Sequence, residues 1–451
     1  MDSYLYEPME RGVLSPDEDG FLNDLSAKKS TTTESKPSLL GKLSAGLITG
    51  AADDDPSGIA TYSQVGAAFG YATIWSLFLA MPLMIAIQAI SARIGCATGK
   101  GLSSSMRSHY AHPWVYGLVF SVLIANVINL AADIGAMGAA LKLLIGGPAV
   151  VYAAVFAIVS LLLQMYVPFS RYSPILKVLT LSLFAYVGTV FVIHVPWGDV
   201  LRGIVMPKVQ LTAKYAVAIV AVLGTTISPY LFFWQAAQEA EEIRGDDDRQ
   251  PLKKDPSQGP KQIERITVDT TIGMMFSNIV AIFIVLTAAV VLHAHGKTDI
   301  QSAADAAEAL RPIAGRFAFA LFAAGIIGTG LLAVPVLAGA TAFATAGSLG
   351  RRYGLEYKPH EAKFFYGVLV FASLVGIALN FTPIDPIKAL YWSAVINGVT
   401  AVPMMIMIML LAMNNKVMGP FTLNTSLKIW GWIATGVMTA AAIVMFITWG
   451  Q

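Results

Sequence analysis

Three consecutive aspartates interrupt an apolar stretch near the start of the chain. The stretch reads LLGKLSAGLITGAADDDPSGIATYSQVGAAFG, with Asp53, Asp54 and Asp55 directly before Pro56. Carboxylates at membrane depth are costly, and they are retained there mainly in ion pathways and binding sites. Because proline disfavours helix at the residue before it, carbonyl oxygens are freed beside the acids, and hard divalent cations prefer carboxylate and carbonyl oxygen. The stretch predicts an unwound helix with a cation site; a plain extramembrane turn is the alternative.

A second apolar stretch, AKYAVAIVAVLGTTISPYLFFWQAAQEAEE, is also interrupted by small residues and a proline. Taken alone, this pattern is equally typical of a proline kink without a ligand. Neither interruption contains His, Cys or Met, so oxygen ligands are predicted. The predicted ion-binding residues are Asp55, Gly58, Thr225 and Ser228, with Asp55 as the metal-binding carboxylate.

The composition indicates which elements must position these residues. Hydrophobic residues make up 56% of the 451 residues, charged residues 13%, and the mean hydropathy is +0.64. Soluble domains carry roughly 25% charged residues, so the chain is predicted to be a polytopic membrane protein. The single cysteine, Cys96, excludes a disulfide scaffold. The 30 basic and 28 acidic residues nearly balance, so the excess of basic charge that is typical of nucleic-acid-binding proteins is missing.

Apolar stretches of about 20 residues, the length of a transmembrane helix, recur after a polar segment at 1–38. That segment is predicted to be a mobile cytoplasmic tail, and 39–451 a membrane transporter domain. The eleven predicted spans are 40–68, 71–95, 113–144, 148–167, 172–194, 212–240, 266–293, 315–346, 362–380, 385–412 and 426–449.

The basic residues give the orientation. With the N-terminus in the cytoplasm, 22 of the 30 Lys and Arg residues lie on the inner side, as the positive-inside rule requires. We therefore expect an integral protein of a bacterial inner (plasma) membrane, with its C-terminus outside.

The two interruptions fall in spans 1 and 6. Interrupted spans in corresponding positions of two halves indicate an inverted-repeat transporter with its site near the membrane midplane. The predicted repeats are spans 1–5, at 40–194, and spans 6–10, at 212–412, with span 11, at 426–449, outside them. The predicted fold class is an all-α membrane protein.

Several motifs resemble the NRAMP metal-ion transporter family over nearly all of 39–449. They are DDDPSGIATYSQVGA in span 1, GTTISPY in span 6 and VDTTIGMMFSN at the start of span 7. The resemblance implies a LeuT-like inverted repeat and a site that, in typical members, binds Mn²⁺ or Fe²⁺ through Asp, Asn and Met side chains and an Ala carbonyl.

The chain departs from the family pattern at the implied site. Asp55 matches the family's aspartate, but Gly58 replaces its asparagine. In span 6, Thr225 replaces the alanine, Ser228 the methionine and Tyr230 the histidine.

The third span, with NLAADIGAMGAAL, also departs from the pattern. Asn129 and Ala132 stand where the family has acids of its proton path. Nearby Asp133 is interpreted as a second cation contact, a proton relay, or a structural hydrogen-bonding group. Asp53, Asp54, Tyr230, Asn129 and Asp133 are the predicted pathway residues.

With these substitutions, the residue pattern resembles that of the NRAMP-related magnesium transporters (NRMT). This branch of the family carries Mg²⁺ and Mn²⁺ without evident proton coupling. We therefore expect alternating-access transport of a Mg²⁺- or Mn²⁺-type cation without obligatory proton coupling. The expected partners are divalent metal ions and the lipid bilayer; no nucleic acid, enzymatic activity or cofactor besides the transported ion is expected. A proton-coupled Mn²⁺/Fe²⁺ symporter and an organic-solute, amino-acid-like transporter are the alternatives.

Overall fold

The computed structural model describes residues 49–50, 52–167, 171, 181–246 and 248–449. Every regular element in these ranges is a helix, which confirms the all-α prediction. The predicted tail at 1–38 and the first part of span 1 lie outside the described residues. The helices of nine residues or more are α1 Pro56–Phe69, α2 Ile74–Thr98, α3 His112–Ile145, α4 Ala149–Tyr166, α5 Phe184–Val192, α6 Trp197–Val205, α7 Ala213–Thr226, α8 Pro229–Arg244, α9 Gly259–Val291, α10 Ala318–Ser348, α11 Lys363–Leu379, α12 Pro386–Ala412 and α13 Thr425–Thr448.

Most predicted spans coincide with these helices to within a few residues. In the described ranges, eight helical stretches are long and apolar enough to cross a membrane, and α11 is a shorter apolar helix. Most of the first half of the predicted fifth span, residues 172–180, lies outside the described ranges. The total of eleven spans therefore stays a prediction. Helix α6, between predicted spans 5 and 6, is amphipathic and was not predicted from hydropathy.

Both predicted interruptions are present. In span 1 the helix at Ala52–Asp53 stops, Asp55 has an extended backbone (φ −68°, ψ 169°), and α1 begins at Pro56. In span 6, α7 ends at Thr226, Ser228 is extended (φ −78°, ψ 129°), and α8 begins at Pro229. Each proline occupies the first position of the new helix, where its missing N–H is not needed. The proline in span 6 therefore starts a second half-helix and is more than a kink.

Close backbone contacts bring the helices around these breaks together. A Cβ atom added to Gly224 on α7 would lie 2.1 Å from the carbonyl oxygen of Ala394 on α12. A Cβ atom added to Gly398 on α12 would lie 2.7 Å from the carbonyl oxygen of Val220 on α7. Small residues are what allow membrane helices to pack at backbone distance. As a result, α12 comes within reach of both α1 and α7.

Helix α4 presents an exposed apolar face, in contrast to the closely packed faces of α7 and α12. The side chains of Val151, Val155, Ile158 and Leu162 are 49–53% exposed, and their spacing places them on one helical face. An apolar face of this kind fits contact with lipid hydrocarbon, as expected for a spanning helix.

Candidate ion site

Asp55 occupies the centre of the site and caps the first break. Its side chain accepts a hydrogen bond from the backbone N–H of Gly58 at 2.8 Å and from the Ser57 hydroxyl at 2.7 Å, both on Oδ1. A carboxylate at this position satisfies one of the free N–H groups of the first helical turn. The residue is 1% exposed, so its charge faces only protein groups.

The second carboxylate oxygen of Asp55 accepts hydrogen bonds from side chains on two other helices. Oδ2 accepts from Nδ2 of Asn129 on α3 at 3.2 Å and from the hydroxyl of Tyr230 on α8 at 3.1 Å. The Tyr230 hydroxyl also lies 3.1 Å from the carbonyl oxygen of Ala52. Asp55 therefore joins both breaks and α3, and four donors surround its carboxylate.

A serine on α12 fixes the orientation of the Asn129 amide. The Ser393 hydroxyl lies 2.6 Å from Oδ1 of Asn129 and 2.7 Å from the carbonyl oxygen of Leu390, and its contact with Oδ1 directs the amide nitrogen toward Asp55. Sequence reasoning missed Ser393, because a single serine in an apolar span carries no local signal that it contacts another helix.

Thr225 and Ser228 lie at the second break but make different contacts. Oγ1 of Thr225 is 3.4 Å from Oγ of Ser57, so Thr225 faces the break in span 1. The Ser228 hydroxyl is 2.8 Å from the carbonyl oxygen of Gly224 and 2.9 Å from that of Thr225. Its proton is thus directed at the carbonyls of its own break, and its oxygen lone pairs remain to accept.

Gly58 lies where the two breaks approach each other. A Cβ atom built on it would be 3.3 Å from Cε2 of Tyr62 and 3.5 Å from Oγ1 of Thr225. Gly58 stands where the family has an asparagine. Because glycine has no side chain, no amide group lies between the hydroxyls of Ser57 and Thr225 at this point.

The other two aspartates of the triplet face a different helix. The Ser277 hydroxyl on α9 is 2.6 Å from Oδ2 of Asp53 and 3.1 Å from Oδ1 of Asp54. Ser277 was not predicted as a site residue, although it lies in the VDTTIGMMFSN motif. Asp53 and Asp54 are buried, and they lie on the α9 side of the break, whereas Asp55 faces α3 and α8.

Asp133 shares a helical face with Asn129. The two residues are four positions apart on α3, so they lie one above the other. Asp133 is fully buried, and neither of its carboxylate oxygens has a hydrogen-bond partner among the described residues. The backbone N–H of Ser57 is directed at the Asp133 carboxylate, so all three roles considered for Asp133 from the sequence stay predictions. Ala132, the neighbouring position, is buried and apolar.

The electrostatic balance of the site is unusual for a protein interior. Within the described ranges, none of Asp53, Asp54, Asp55 and Asp133 forms an ion pair with Lys, Arg or His. An uncompensated buried carboxylate costs several kcal/mol, so cations or protons must neutralise these groups. The same ranges hold no group of three or more His, Cys, Asp or Glu residues able to enclose a metal ion.

The sequence also matches a protein-family model. The model for Natural resistance-associated macrophage protein-like (Nramp) proteins matches residues 46–448. The chain belongs to the NRAMP family. The predicted resemblance is therefore confirmed at the level of the family.

Two relatives show how far this NRAMP chain has diverged. It is 25% identical over 394 residues to the divalent metal cation transporter MntH of Klebsiella pneumoniae (strain 342), a match that covers 86% of this chain and 89% of the relative. It is 28% identical over 310 residues to MntH of Pectobacterium carotovorum subsp. carotovorum (strain PC1), covering 67% of this chain and 71% of the relative.

Solved structures support the same fold for this NRAMP chain. A crystal structure of a mutant manganese transporter from Eremococcus coleocola superposes with a TM-score of 0.70 at 16% identity, covering 92% of this chain and 88% of the other. Mhp1, a nucleobase-cation-symport-1 family transporter, superposes with a TM-score of 0.56 at 12% identity, covering 90% and 92% of the two chains. The similarity to Mhp1 confirms the LeuT-like fold.

Proposed function

We propose that the protein transports a partly hydrated divalent cation, Mg²⁺ or Mn²⁺, by alternating access around the Asp55 site. The observation that carries the proposal is the set of buried carboxylates at the first helix break and on the neighbouring α3, none of which is neutralised by a basic side chain in the described ranges. The names of the MntH relatives and of the Eremococcus coleocola protein support transport of a divalent metal. The family membership supports a transporter and not an enzyme.

The chemistry of the nearest groups supports a hard cation. Asp55 is surrounded by the hydroxyls of Ser57 and Tyr230, and Thr225 and Ser228 add hydroxyl and carbonyl oxygens at the second break. Thioether ligands select softer metals, whereas carbonyl and water oxygens suit both Mg²⁺ and Mn²⁺. Weak discrimination between Mg²⁺ and Mn²⁺ follows from this set of ligands.

The same positions argue against obligatory proton coupling. Asn129 and Ala132 do not titrate, and position 230 carries a phenol where the resemblance implies an imidazole. The alternative, a proton-coupled Mn²⁺/Fe²⁺ symporter, depends on Asp133. Asp133 is the one carboxylate on the face of α3 from which Asn129 donates to Asp55. The direction of the chain in the membrane, with the N-terminus inside and the C-terminus outside, is part of the proposal and rests on the distribution of basic residues.

Flux into proteoliposomes tests the proposal. Purified full-length protein is reconstituted, and uptake of Mg²⁺, Mn²⁺ and Ca²⁺ is followed with ion-sensitive dyes, with and without a pH gradient. We expect uptake of Mg²⁺ and Mn²⁺ that Asp55→Ala abolishes and that a pH gradient does not drive. The matched control is Asp199→Ala, which removes an exposed carboxylate on α6. Absence of divalent flux in the wild type, or full flux in Asp55→Ala, contradicts the proposal.

A further inference from the structure

The hydrogen bonds of Asp55 leave its carboxylate little room for a metal ion. An ionised carboxylate offers about four lone-pair sites, and Asp55 already accepts from Ser57, Gly58, Asn129 and Tyr230. A cation that binds Asp55 directly must displace at least one of these donors. Bonds to a charged acceptor are among the stronger hydrogen bonds of proteins, so displacement opposes direct binding.

Asp133 has the opposite property. Both of its oxygens lack a partner among the described residues, and the side chain is fully buried. Buried polar groups in folded proteins are nearly always hydrogen bonded, and the exceptions call for an explanation such as an ion. In the break itself, Oδ1 of Asp53 is also without a partner, whereas Oδ2 of Asp53 lies 2.6 Å from the Ser277 hydroxyl; Asp133 is the acid with both oxygens open.

The position of Asp133 places these lone pairs in the same site. Asn129, one turn before Asp133 on α3, donates to Asp55. Two groups of this break lie beside Asp133. They are the Asp55 carboxylate and the backbone N–H of Ser57, in the first turn of α1, which is directed at Asp133 but makes no hydrogen bond of normal length and angle with it. Two carboxylates thus lie at the start of α1: Asp55, the N-cap residue of α1, accepts four hydrogen bonds, whereas Asp133 on α3 has both oxygens open.

We propose that Asp133 supplies a direct carboxylate ligand to the transported divalent cation. This inference rests on the proposed function and specifies the ligand that the NRAMP resemblance does not. Divalent ions such as Mg²⁺ are commonly held by one or two carboxylates while they keep several waters. Asp55, held by its four donors, attracts the same ion and contacts its hydration water.

The test measures binding and coordination separately, on purified full-length protein labelled with ¹³C at the aspartate carboxyl carbon. Titration calorimetry gives the Kd for Mn²⁺ and Mg²⁺, and electron–nuclear double resonance of bound Mn²⁺ reports ¹³C carboxylates in the first coordination sphere. We expect the wild type to show a directly coordinated carboxylate. Asp133→Asn should remove that ¹³C coupling and raise the Kd at least tenfold, whereas the control Asp199→Asn should change neither.

Several results overturn the inference. One is an unchanged ¹³C coupling in Asp133→Asn, even with a weaker Kd, because a charge acting at a distance weakens binding without coordination. If Asp133→Asn does not fold, Asp133→Glu is prepared with ¹³C at the glutamate side-chain carboxyl carbon instead. This variant keeps the carboxylate and should show a first-sphere ¹³C coupling that the wild type with the same glutamate label lacks; absence of that coupling refutes direct binding. Wild-type protein that binds neither Mn²⁺ nor Mg²⁺ overturns the proposed function as well. Normal wild-type binding that depends on Asp55 but not on Asp133 overturns only the inference.

Discussion

Replacing Asp55 or Asp133 by asparagine removes the same charge but should affect stability in opposite ways. An asparagine keeps one acceptor oxygen and replaces the other with an NH₂ group. At position 55, if the oxygen keeps the bonds from Ser57 and Gly58, the NH₂ group faces Asn129 and Tyr230. The Tyr230 hydroxyl can turn toward the Ala52 carbonyl, which lies 3.1 Å away.

The Asn129 amide cannot adapt in the same way. Its oxygen is held by Ser393, so its NH₂ group stays directed at the new NH₂ group. Asp55→Asn therefore loses two hydrogen bonds to a charged acceptor, each worth about 1.5–3 kcal/mol. Relief of a buried charge offsets part of this loss, and we expect a net destabilisation of about 2–4 kcal/mol.

Asp133→Asn has no hydrogen bond to lose among the described residues. It replaces an unpaired buried carboxylate with a neutral group of the same size, so the free energy of unfolding should be unchanged or higher. The assay is unfolding of the metal-free protein in detergent mixtures, followed by tryptophan fluorescence, for both variants and the wild type. Equal destabilisation by the two substitutions, or wild-type stability of Asp55→Asn, would refute this account of the site.

Three further predictions concern selectivity, coupling and packing. Ser228→Met should shift competition between Mn²⁺ and Mg²⁺ toward Mn²⁺ by about tenfold, equivalent to about 1.4 kcal/mol, because a thioether is a softer ligand; a wild-type preference for Mn²⁺ of roughly a thousandfold would contradict the oxygen-ligand argument. In liposomes loaded with a pH dye at a clamped potential, uptake of Mg²⁺ or Mn²⁺ should not acidify the interior, and acidification that Asp133→Asn removes would make Asp133 a proton carrier. Gly224→Ala should separate α7 from α12 and reduce both stability and flux, since its Cβ would lie 2.1 Å from the Ala394 oxygen; Gly117→Ala, with no atom within 4 Å of its Cβ, is the matched control and should behave like the wild type.

The sequence by itself determined the membrane class, most span positions and both helix breaks. These features depend on local properties, namely the length of an apolar stretch and the missing N–H of a proline, and each is visible within about 20 residues. The paired positions of Pro56 and Pro229 also indicated the inverted repeat. Helix α6 was not predicted because it is short and amphipathic, and hydropathy averaged over the length of a span does not detect such a helix.

Only the tertiary structure decided which side chains meet. Ser393 and Asn129 are 264 residues apart, and Ser277 and Asp53 are 224 residues apart, so no local pattern encodes either contact. The structure also separated the aspartates: Asp55 is saturated with donors, whereas Asp133 is buried with open oxygens. Residue type alone cannot make this distinction, because the hydrogen bonds of a buried carboxylate depend on the donors that other helices bring to it.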